Sequence, residues 1–191
     1  MAYPIARGLA PMLAAAGAVA IFHEPISVYV AVGILCIASG VMFIGVSHRL
    51  RASALLWAAL TGACIACYTV VDAQGVRAAP TALSYIVWTF LMLGGALGSF
   101  FAIWRGKAFI ASVAGQWKPG LIAGALSIVS YGFALLAFRY GATPRLAALR
   151  ETSILFGAVI AVVFLRERLT KLRFGGVLAI ALGAMILIAA G

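Results

Sequence analysis

Apolar and polar residues follow one another in long blocks, with seven apolar runs separated by polar breaks. The runs cover residues 4–22, 27–46, 53–71, 80–104, 119–139, 144–165 and 172–190. A run of about 20 apolar residues is long enough to cross the hydrocarbon core of a bilayer as a helix. Because most breaks are short, consecutive helices are expected to pack as antiparallel neighbours. The pattern predicts an all-α, polytopic bundle of about seven transmembrane helices.

The composition changes this picture only by strengthening it. Hydrophobic residues make up 65% of the 191 residues and charged residues only 9%, whereas a soluble domain is about 45–50% apolar and about 25% charged. A water-soluble globule of this size could not bury the surplus, so the surplus must face lipid. We expect a multi-pass protein of the bacterial plasma (inner) membrane, with the lipid bilayer as its first partner. Whether it forms a homo-oligomer is left open.

The net charge of +10 does not indicate nucleic acid, because the basic residues flank apolar runs as they do in membrane proteins. No metal and no cofactor are predicted. Cys64 and Cys67 have CxxC spacing but no accompanying second pair or histidine, so they are interpreted as small packing residues. The chain lacks the HExxH and Gly-x-Ser-x-Gly motifs of hydrolases. Its three lysines all lie in the breaks, which excludes a retinal Schiff base within the membrane. We therefore expect no enzyme.

An internal repeat becomes visible when the sequence is aligned with itself at an offset of 143 residues. The aligned polar and glycine pairs are Arg7 with Arg150, Glu24 with Glu167, Ser27 with Thr170, Gly33 with Gly176 and Gly40 with Gly183. The first copy covers the first two runs and the second copy the last two. Five crossings separate equivalent helices, and an odd number of crossings reverses direction in the membrane. The pattern predicts an inverted repeat, an architecture typical of secondary transporters.

The two hairpin segments carry a family resemblance. Residues 22–27 (Phe-His-Glu-Pro-Ile-Ser) and 165–170 (Leu-Arg-Glu-Arg-Leu-Thr) each follow a small-residue helix and precede spaced glycines. This arrangement resembles the EamA-type drug/metabolite transporters, as does Pro11 within the first helix. Its repeat equivalent, Ile154, departs from the family pattern. The resemblance implies two inverted five-helix repeats that enclose a central cavity.

Mapped onto that architecture, residues 1–46 match the last two helices of a first repeat. Residues 53–191 match a complete five-helix second repeat. About 90 residues, or three helices, would then be missing ahead of Met1 (143 − 53 = 90). The chain is therefore expected to contain only part of the ten-helix architecture that the resemblance implies.

The resemblance implies transport of a small-molecule substrate, as an exporter or exchanger of a small metabolite. No Gly-x4-Gly-Lys-[Ser/Thr] motif for ATP is present, so transport is expected to be secondary. A lipid-carrier flippase is the alternative within transport, and a non-transporting membrane subunit or scaffold is the alternative outside it.

Charged residues at membrane depth are functional candidates, because burying them in lipid is costly. Arg150 and Glu151 lie within the sixth run, where an arginine can bind a carboxylate or phosphate in two-point fashion. Alternatively, Arg150 and its repeat equivalent Arg7 both reach the headgroup region, where Glu151 neutralises its neighbour Arg150. This snorkelling is expected for Arg7. Asp72 follows the third run and is a candidate for proton coupling. A helix cap or a pair with Arg77 is its commoner role.

Aromatic and hairpin residues complete the candidates. Tyr85, Trp88 and Tyr131 lie in predicted helices of the second repeat and are candidates for substrate binding, with lipid-facing positions as the alternative. Glu24 and Glu167 are expected to be structural residues of the hairpins. There they would accept backbone N–H groups at the start of the following helix, where the helix dipole favours an anion.

The orientation in the membrane is left open. Nine basic residues lie in breaks two, four and six and three in breaks one, three and five, which places the carboxyl terminus outside. The family resemblance implies the opposite, because members are drawn with both ends of the ten-helix chain in the cytoplasm.

Overall fold

The computed structural model describes residues 2–45, 52–163, 166 and 170–190, and nearly all of them are helical. The helices are α1 (Ala2–Phe22), α2 (Val28–Gly45), α3 (Ala52–Ala78), α4 (Ala82–Arg105), α5 (Lys107–Gly115), α6 (Trp117–Tyr140), α7 (Thr143–Leu149), α8 (Ser153–Val163) and α9 (Lys171–Ala189). Five of these, α1, α3, α4, α6 and α9, are long and apolar enough to cross a membrane, and α2 is a shorter apolar helix. The predicted all-α membrane bundle is confirmed.

The sixth apolar run is not one continuous helix. A 3₁₀ segment, Arg150–Thr152, separates α7 from α8. The Thr152 hydroxyl donates a hydrogen bond of 2.7 Å to the carbonyl of Leu149, and such local side-chain bonds compete with regular helix geometry. A 3₁₀ turn inside a helical stretch often marks a functional hinge. The break falls on the two charged residues that the sequence singled out, Arg150 and Glu151.

Helix α3 is longer than predicted. The apolar run ends at residue 71, but the helix continues to Ala78. Pro80 is the first residue that disfavours helix, because proline restricts the residue before it. Asp72 therefore lies inside α3, and the interpretation of Asp72 as a cap at the end of this helix is wrong.

The break between the fourth and fifth runs also contains a helix, α5. None of its residues is buried. Gly106 joins it to α4 with a positive φ of 53°, a conformation that glycine adopts without steric cost.

The described residues form two compact units, Met1–Val71 with Gly141–Gly191, and Asp72–Tyr140. The core of the first unit lies between α2 and α9, where four side chains are completely buried: Ile37, Val41, Ile180 and Leu187. In the second unit, the end of α3 buries Ala73 and Val76, and α6 buries Leu135 and Phe138.

Four glycines let α2 and α9 approach closely. A Cβ on Gly40 would lie 2.6 Å from the carbonyl oxygen of Gly176, and a Cβ on Gly183 would lie 2.7 Å from that of Gly33. Since the pairs run in opposite order along the two helices, α2 and α9 are antiparallel. The 143-residue offset aligns Gly33 with Gly176 and Gly40 with Gly183, so each contact is the repeat equivalent of the other. This is the contact pattern of a pseudo-two-fold axis.

Local backbone features recur at the same offset. His23 and Arg166 have φ angles of 52° and 53°. The Ser27 hydroxyl accepts a hydrogen bond from the Val30 N–H at 3.2 Å, and the Thr170 hydroxyl accepts one from the Arg173 N–H at 3.3 Å. Each pair is separated by 143 residues, and these recurrences support the predicted repeat. Leu165 and Glu167 lie outside the described residues.

Candidate functional site

Helix α1 and the 3₁₀ segment are joined by an ion pair. Arg7 Nε donates to Glu151 Oε2 at 2.8 Å, and Arg7 Nη2 donates to Glu151 Oε1 at 3.2 Å. The exposed fraction of the side chain is 23% for Arg7 and 5% for Glu151. A guanidinium that meets a carboxylate at two points is among the stronger and more directional contacts in proteins. The expected snorkelling of Arg7 is wrong, because its guanidinium turns to Glu151.

Small residues bring the two partners together. Helix α1 packs against α7, and the buried residues of the two helices near the pair include five alanines: Ala6, Ala10, Ala14, Ala147 and Ala148. Side chains of this size let helix backbones approach closely. The sequence pattern shows these alanines as small-residue spacing but does not show which helix they contact.

Arg150 and Glu151 have different partners although they are adjacent in sequence. Successive residues of a 3₁₀ helix point about 120° apart. Glu151 reaches Arg7, and Arg150 Nη2 lies 3.5 Å from the hydroxyl of Tyr68 on α3. The alternative in which Glu151 neutralises its neighbour Arg150 is therefore not what the structure shows. Tyr68 was not singled out from the sequence as a site residue.

A small cavity borders this pair. Its volume is about 10 Å³, and it is lined by Ala10, Pro11, Ala14, Ile65, Thr69, Ala147, Arg150 and Glu151. A cavity of this size holds roughly one water molecule. Thr69, one of the residues that line the cavity, is only 3% exposed. We call the ion pair, Arg150, Tyr68 and Thr69 the charge site.

The hairpin residue Glu24 binds the start of α7. Its Oε2 accepts the backbone N–H of Thr143 at 2.8 Å, and its Oε1 accepts the Thr143 hydroxyl at 2.7 Å. The sequence led us to expect that Glu24 would cap α2. That helix instead starts at the hydroxyl of Ser27, which accepts the N–H of Val30. Glu24 thus holds the beginning of the helix that leads to the charge site.

The first unit also contains an apolar groove, which offers few hydrogen-bonding groups to a polar solute. A groove of about 460 Å³ is lined by residues of α1 and α3, all of them apolar: Leu13, Gly17, Ile21, Phe22, Ala63, Ala66, Cys67, Val70 and Val71. Selective solute binding needs a few placed polar groups. The charge site supplies such groups and the groove does not.

The second unit contains a separate polar cluster around Asp72. The hydroxyl of Tyr85 on α4 donates to Asp72 Oδ1 at 2.9 Å, and that of Tyr131 on α6 donates to Asp72 Oδ2 at 2.5 Å. Phe90 meets the Tyr131 ring edge-on, with the centroids 6.2 Å apart. Gly75 allows the Tyr85 ring to pack against α3, since a Cβ at residue 75 would collide with that ring. We call Asp72, Tyr85 and Tyr131 the aspartate–tyrosine cluster.

Arg77 does not pair with Asp72. Arg77 Nε donates to the carbonyl oxygen of Phe138 at 2.9 Å, and the Asp72 carboxylate forms no ion pair with any residue that the structure describes. Arg139 donates to the carbonyls of Val76 and Ala79 at 2.8 and 3.0 Å, where it satisfies the end of α3 as basic side chains commonly do.

The structure separates the three predicted aromatic residues. Tyr85 and Tyr131 converge on Asp72, but Trp88 is 60% exposed. An exposed tryptophan on a membrane-spanning helix is typical of a position that faces lipid or another chain. Tyr85 and Tyr131 therefore share one site, and Trp88 is not part of it.

The long apolar helices define the class of protein: a multi-pass helical membrane protein. The sequence model of the EamA-like transporter family matches residues 52–189, well over half of the chain. The chain belongs to the EamA-like transporter family, and the resemblance drawn from its hairpins is confirmed. No curated protein matches the sequence.

Proposed function

We propose that this protein carries out secondary, ATP-independent transport of a small metabolite, as an exporter or exchanger. The observation that carries the proposal is the Arg7–Glu151 ion pair, which joins a charge on the spanning helix α1 to a charge at the break between α7 and α8. Charges at membrane depth are rare and mark substrate or ion pathways. Broken helices mark the binding sites of many secondary transporters.

The charge site is the proposed substrate site. Arg150 would bind the solute directly, because its guanidinium lies at the half-buried edge of the cavity beside Tyr68. Glu151 would hold Arg7 in place and preserve the conformation of the break. The ion pair ties α1 to the 3₁₀ segment, so its rupture would free the hinge between α7 and α8 to move.

The aspartate–tyrosine cluster is the proposed coupling site. Two phenol hydroxyls donate to the Asp72 carboxylate, and an ionised carboxylate accepts hydrogen bonds and donates none. Proton uptake by Asp72 would force one of the two tyrosines to give up its donor role. We propose that Tyr85 and Tyr131 act in transport through Asp72, and that Trp88 shapes the lipid-facing surface of α4.

The inverted repeat is the proposed organisation of the bundle, with residues 1–46 as the last two helices of one repeat and residues 53–191 as a five-helix repeat. Three recurrences at the 143-residue offset support it. They are the exchanged glycine contacts of α2 and α9, the positive φ angles of His23 and Arg166, and the caps at Ser27 and Thr170.

Transport by the purified chain in liposomes tests the function. Liposomes would be loaded with labelled amines, neutral solutes and carboxylates, and efflux would be followed under an imposed pH gradient without nucleotide. We expect saturable efflux of at least one solute, lost in Arg150→Ala.

Arg105→Ala is the matched control, because Arg105 is an exposed arginine at the end of α4 and its loss leaves the charge site intact. Protein-free liposomes set the background leak. Efflux no faster than this leak for every solute class would refute transport by this chain and favour a scaffold. Normal efflux in Arg150→Ala would remove Arg150 from the substrate site.

A further inference from the structure

The short helix α5 lies at one surface of the membrane. It follows α4 and precedes α6, both of which are long and apolar enough to cross the bilayer, so the end of α4 and the start of α6 reach the same surface. With nine residues, α5 is about 14 Å long and too short to cross. Helix α6 begins with Trp117 and Lys118, residue types that are typical of the boundary between lipid and water.

An open groove of about 680 Å³ lies between α5 and the first turns of α6. Four of its residues belong to α5 and its C-cap, and they share one face because they recur at the spacing of helical turns: Phe109, Ser112, Val113 and Gln116. On the α6 side, Leu121 lines the groove and is 68% exposed. Apolar side chains that stay uncovered at a membrane surface are suited to contact with acyl chains.

A positive charge stands beside this groove. The Lys118 ammonium lies 5.7 Å from the centre of the Trp117 ring, and Trp117 is part of the groove lining. No residue from 73 to 150 is acidic. Asp72, the acid of the second unit, is bound by Tyr131, which follows Lys118 by 13 residues on α6 (131 − 118 = 13), or about 20 Å along the helix axis. Within the second unit, therefore, no carboxylate lies near Lys118.

We propose that the groove binds an anionic phospholipid, with its phosphate at Lys118 and Gln116 and an acyl chain against Phe109, Val113 and Leu121. An ammonium and a side-chain amide are donors that a phosphate accepts, and basic pockets beside spanning helices bind anionic lipid headgroups. The apolar wall has no use for a free phosphate, which carries no chain. Lipid binding at this groove does not depend on the proposed transport function.

Lys107 makes it possible to separate the groove from a general effect of positive charge. It is the first residue of α5 and precedes Phe109 by two positions, and residues two apart do not share a helix face. Lys107 therefore carries the same charge in the same segment but lies away from the groove. Lys107→Gln and Lys118→Gln change the charge of this surface equally, and only the second removes a group beside the groove.

Quenching of tryptophan fluorescence by brominated lipids tests the proposal. The full chain would keep Trp117 alone, with Trp57, Trp88 and Trp104 replaced by phenylalanine. Reconstitution into mixtures of phosphatidylcholine and phosphatidylglycerol, with one or the other brominated, gives the relative affinity of the two lipids beside Trp117. We expect a preference of roughly five-fold for phosphatidylglycerol, the effect of one lysine close to an anionic lipid. A chain that keeps only Trp88, near the start of α4, should report no preference.

Four variants of the Trp117 chain locate the site. Lys118→Gln should reduce the preference to near one, and Lys107→Gln should leave it unchanged. Gly120→Phe tests the groove itself, because Gly120 lines it and a Cβ there meets nothing within 4 Å. The larger side chain would occupy the groove and should abolish the preference. Gly124→Phe is the matched control, because a Cβ on Gly124 also meets nothing within 4 Å and Gly124 does not line the groove.

The proposal is overturned if Trp117 and Trp88 report the same preference, or if Lys107→Gln and Lys118→Gln lower it equally, since general surface charge would then account for it. It is also overturned if neither brominated lipid quenches Trp117, because another protein surface, such as a second copy of the chain, would then cover the groove. Solute efflux in the liposome experiment bears on the transport function alone.

Discussion

Arg7 and Glu151 are separated by 144 positions in the chain, yet their side chains meet at two points, with Arg7 Nε 2.8 Å from Glu151 Oε2. The contact joins the first described helix to the 3₁₀ segment, and the carboxylate is almost completely buried. It links the two halves of the internal repeat in the same unit that contains the antiparallel α2–α9 pair. The charge site is therefore a product of the tertiary fold.

Breaking this pair on one side should destabilise the protein strongly. Arg7→Gln leaves the Glu151 carboxylate buried without its counter-charge, and such changes cost about 3–5 kcal/mol. We expect about 3 kcal/mol, because the Arg7 side chain is still 23% exposed. The measurement is the free energy of unfolding in mixed micelles with increasing SDS. The double variant Arg7→Gln/Glu151→Gln should recover most of the loss, and simple additivity of the two single variants would contradict a direct interaction.

The α2–α9 glycines give a second prediction. A Cβ at residue 40 would lie 2.6 Å from the Gly176 carbonyl oxygen and 2.9 Å from the Ile180 nitrogen, so Gly40→Ala must push the two backbones apart. Over-packing of this kind costs about 1–3 kcal/mol. The unfolding midpoint should fall accordingly.

Gly98→Ala is the matched control for that substitution. Gly98 lies inside α4, and a Cβ there meets nothing within 4 Å. Because alanine is the better helix former by about 1 kcal/mol, this variant should be neutral or slightly more stable. Equal losses in Gly40→Ala and Gly98→Ala would show that the close approach of α2 and α9 does not matter.

Much of this architecture follows from sequence patterns. The hydrophobic runs are strong signals, because lipid demands long apolar helices with internally satisfied backbones. The repeat is visible because it rests on polar and glycine identities such as Glu24 with Glu167 and Gly40 with Gly183. Those signals predict the class of fold and the residues worth testing, including Arg150, Glu151 and Asp72.

The partners of those residues could not be predicted in the same way. No local sequence pattern encodes a contact between helices that are distant in the chain. The partners in three such contacts are far apart in sequence: Arg7 and Glu151, Glu24 and Thr143, and Asp72 and Tyr131. Thr69 carries no such signal in the sequence, because serine and threonine are common in membrane helices. The end of α3 was misplaced because an acidic residue ends a hydrophobic run without ending a helix.

The contact of Glu24 with Thr143 predicts a graded loss of stability. Thr143→Val keeps the shape and the backbone N–H, and removes only the hydroxyl that donates to Glu24 Oε1. Its cost should be about 1.5 kcal/mol, within the range for a hydrogen bond to a charged group. Glu24→Ala should cost more, because it also leaves the buried N–H of Thr143 unsatisfied. Equal costs for the two variants would show that the backbone bond contributes nothing.

The aspartate–tyrosine cluster predicts that efflux driven by a pH gradient can be separated from solute exchange. Asp72→Asn removes the carboxylate that would take up a proton but keeps a group of similar size between Tyr85 and Tyr131. In liposomes, we expect efflux driven by a pH gradient to be lost while exchange of labelled for unlabelled solute continues. Tyr131→Phe removes one of the two donors to Asp72 and should weaken gradient-driven efflux in part. Tyr140→Phe, at a tyrosine that is 80% exposed, should leave both modes unchanged. Gradient-driven efflux that persists in Asp72→Asn would show that coupling, if it exists in this protein, uses a different group.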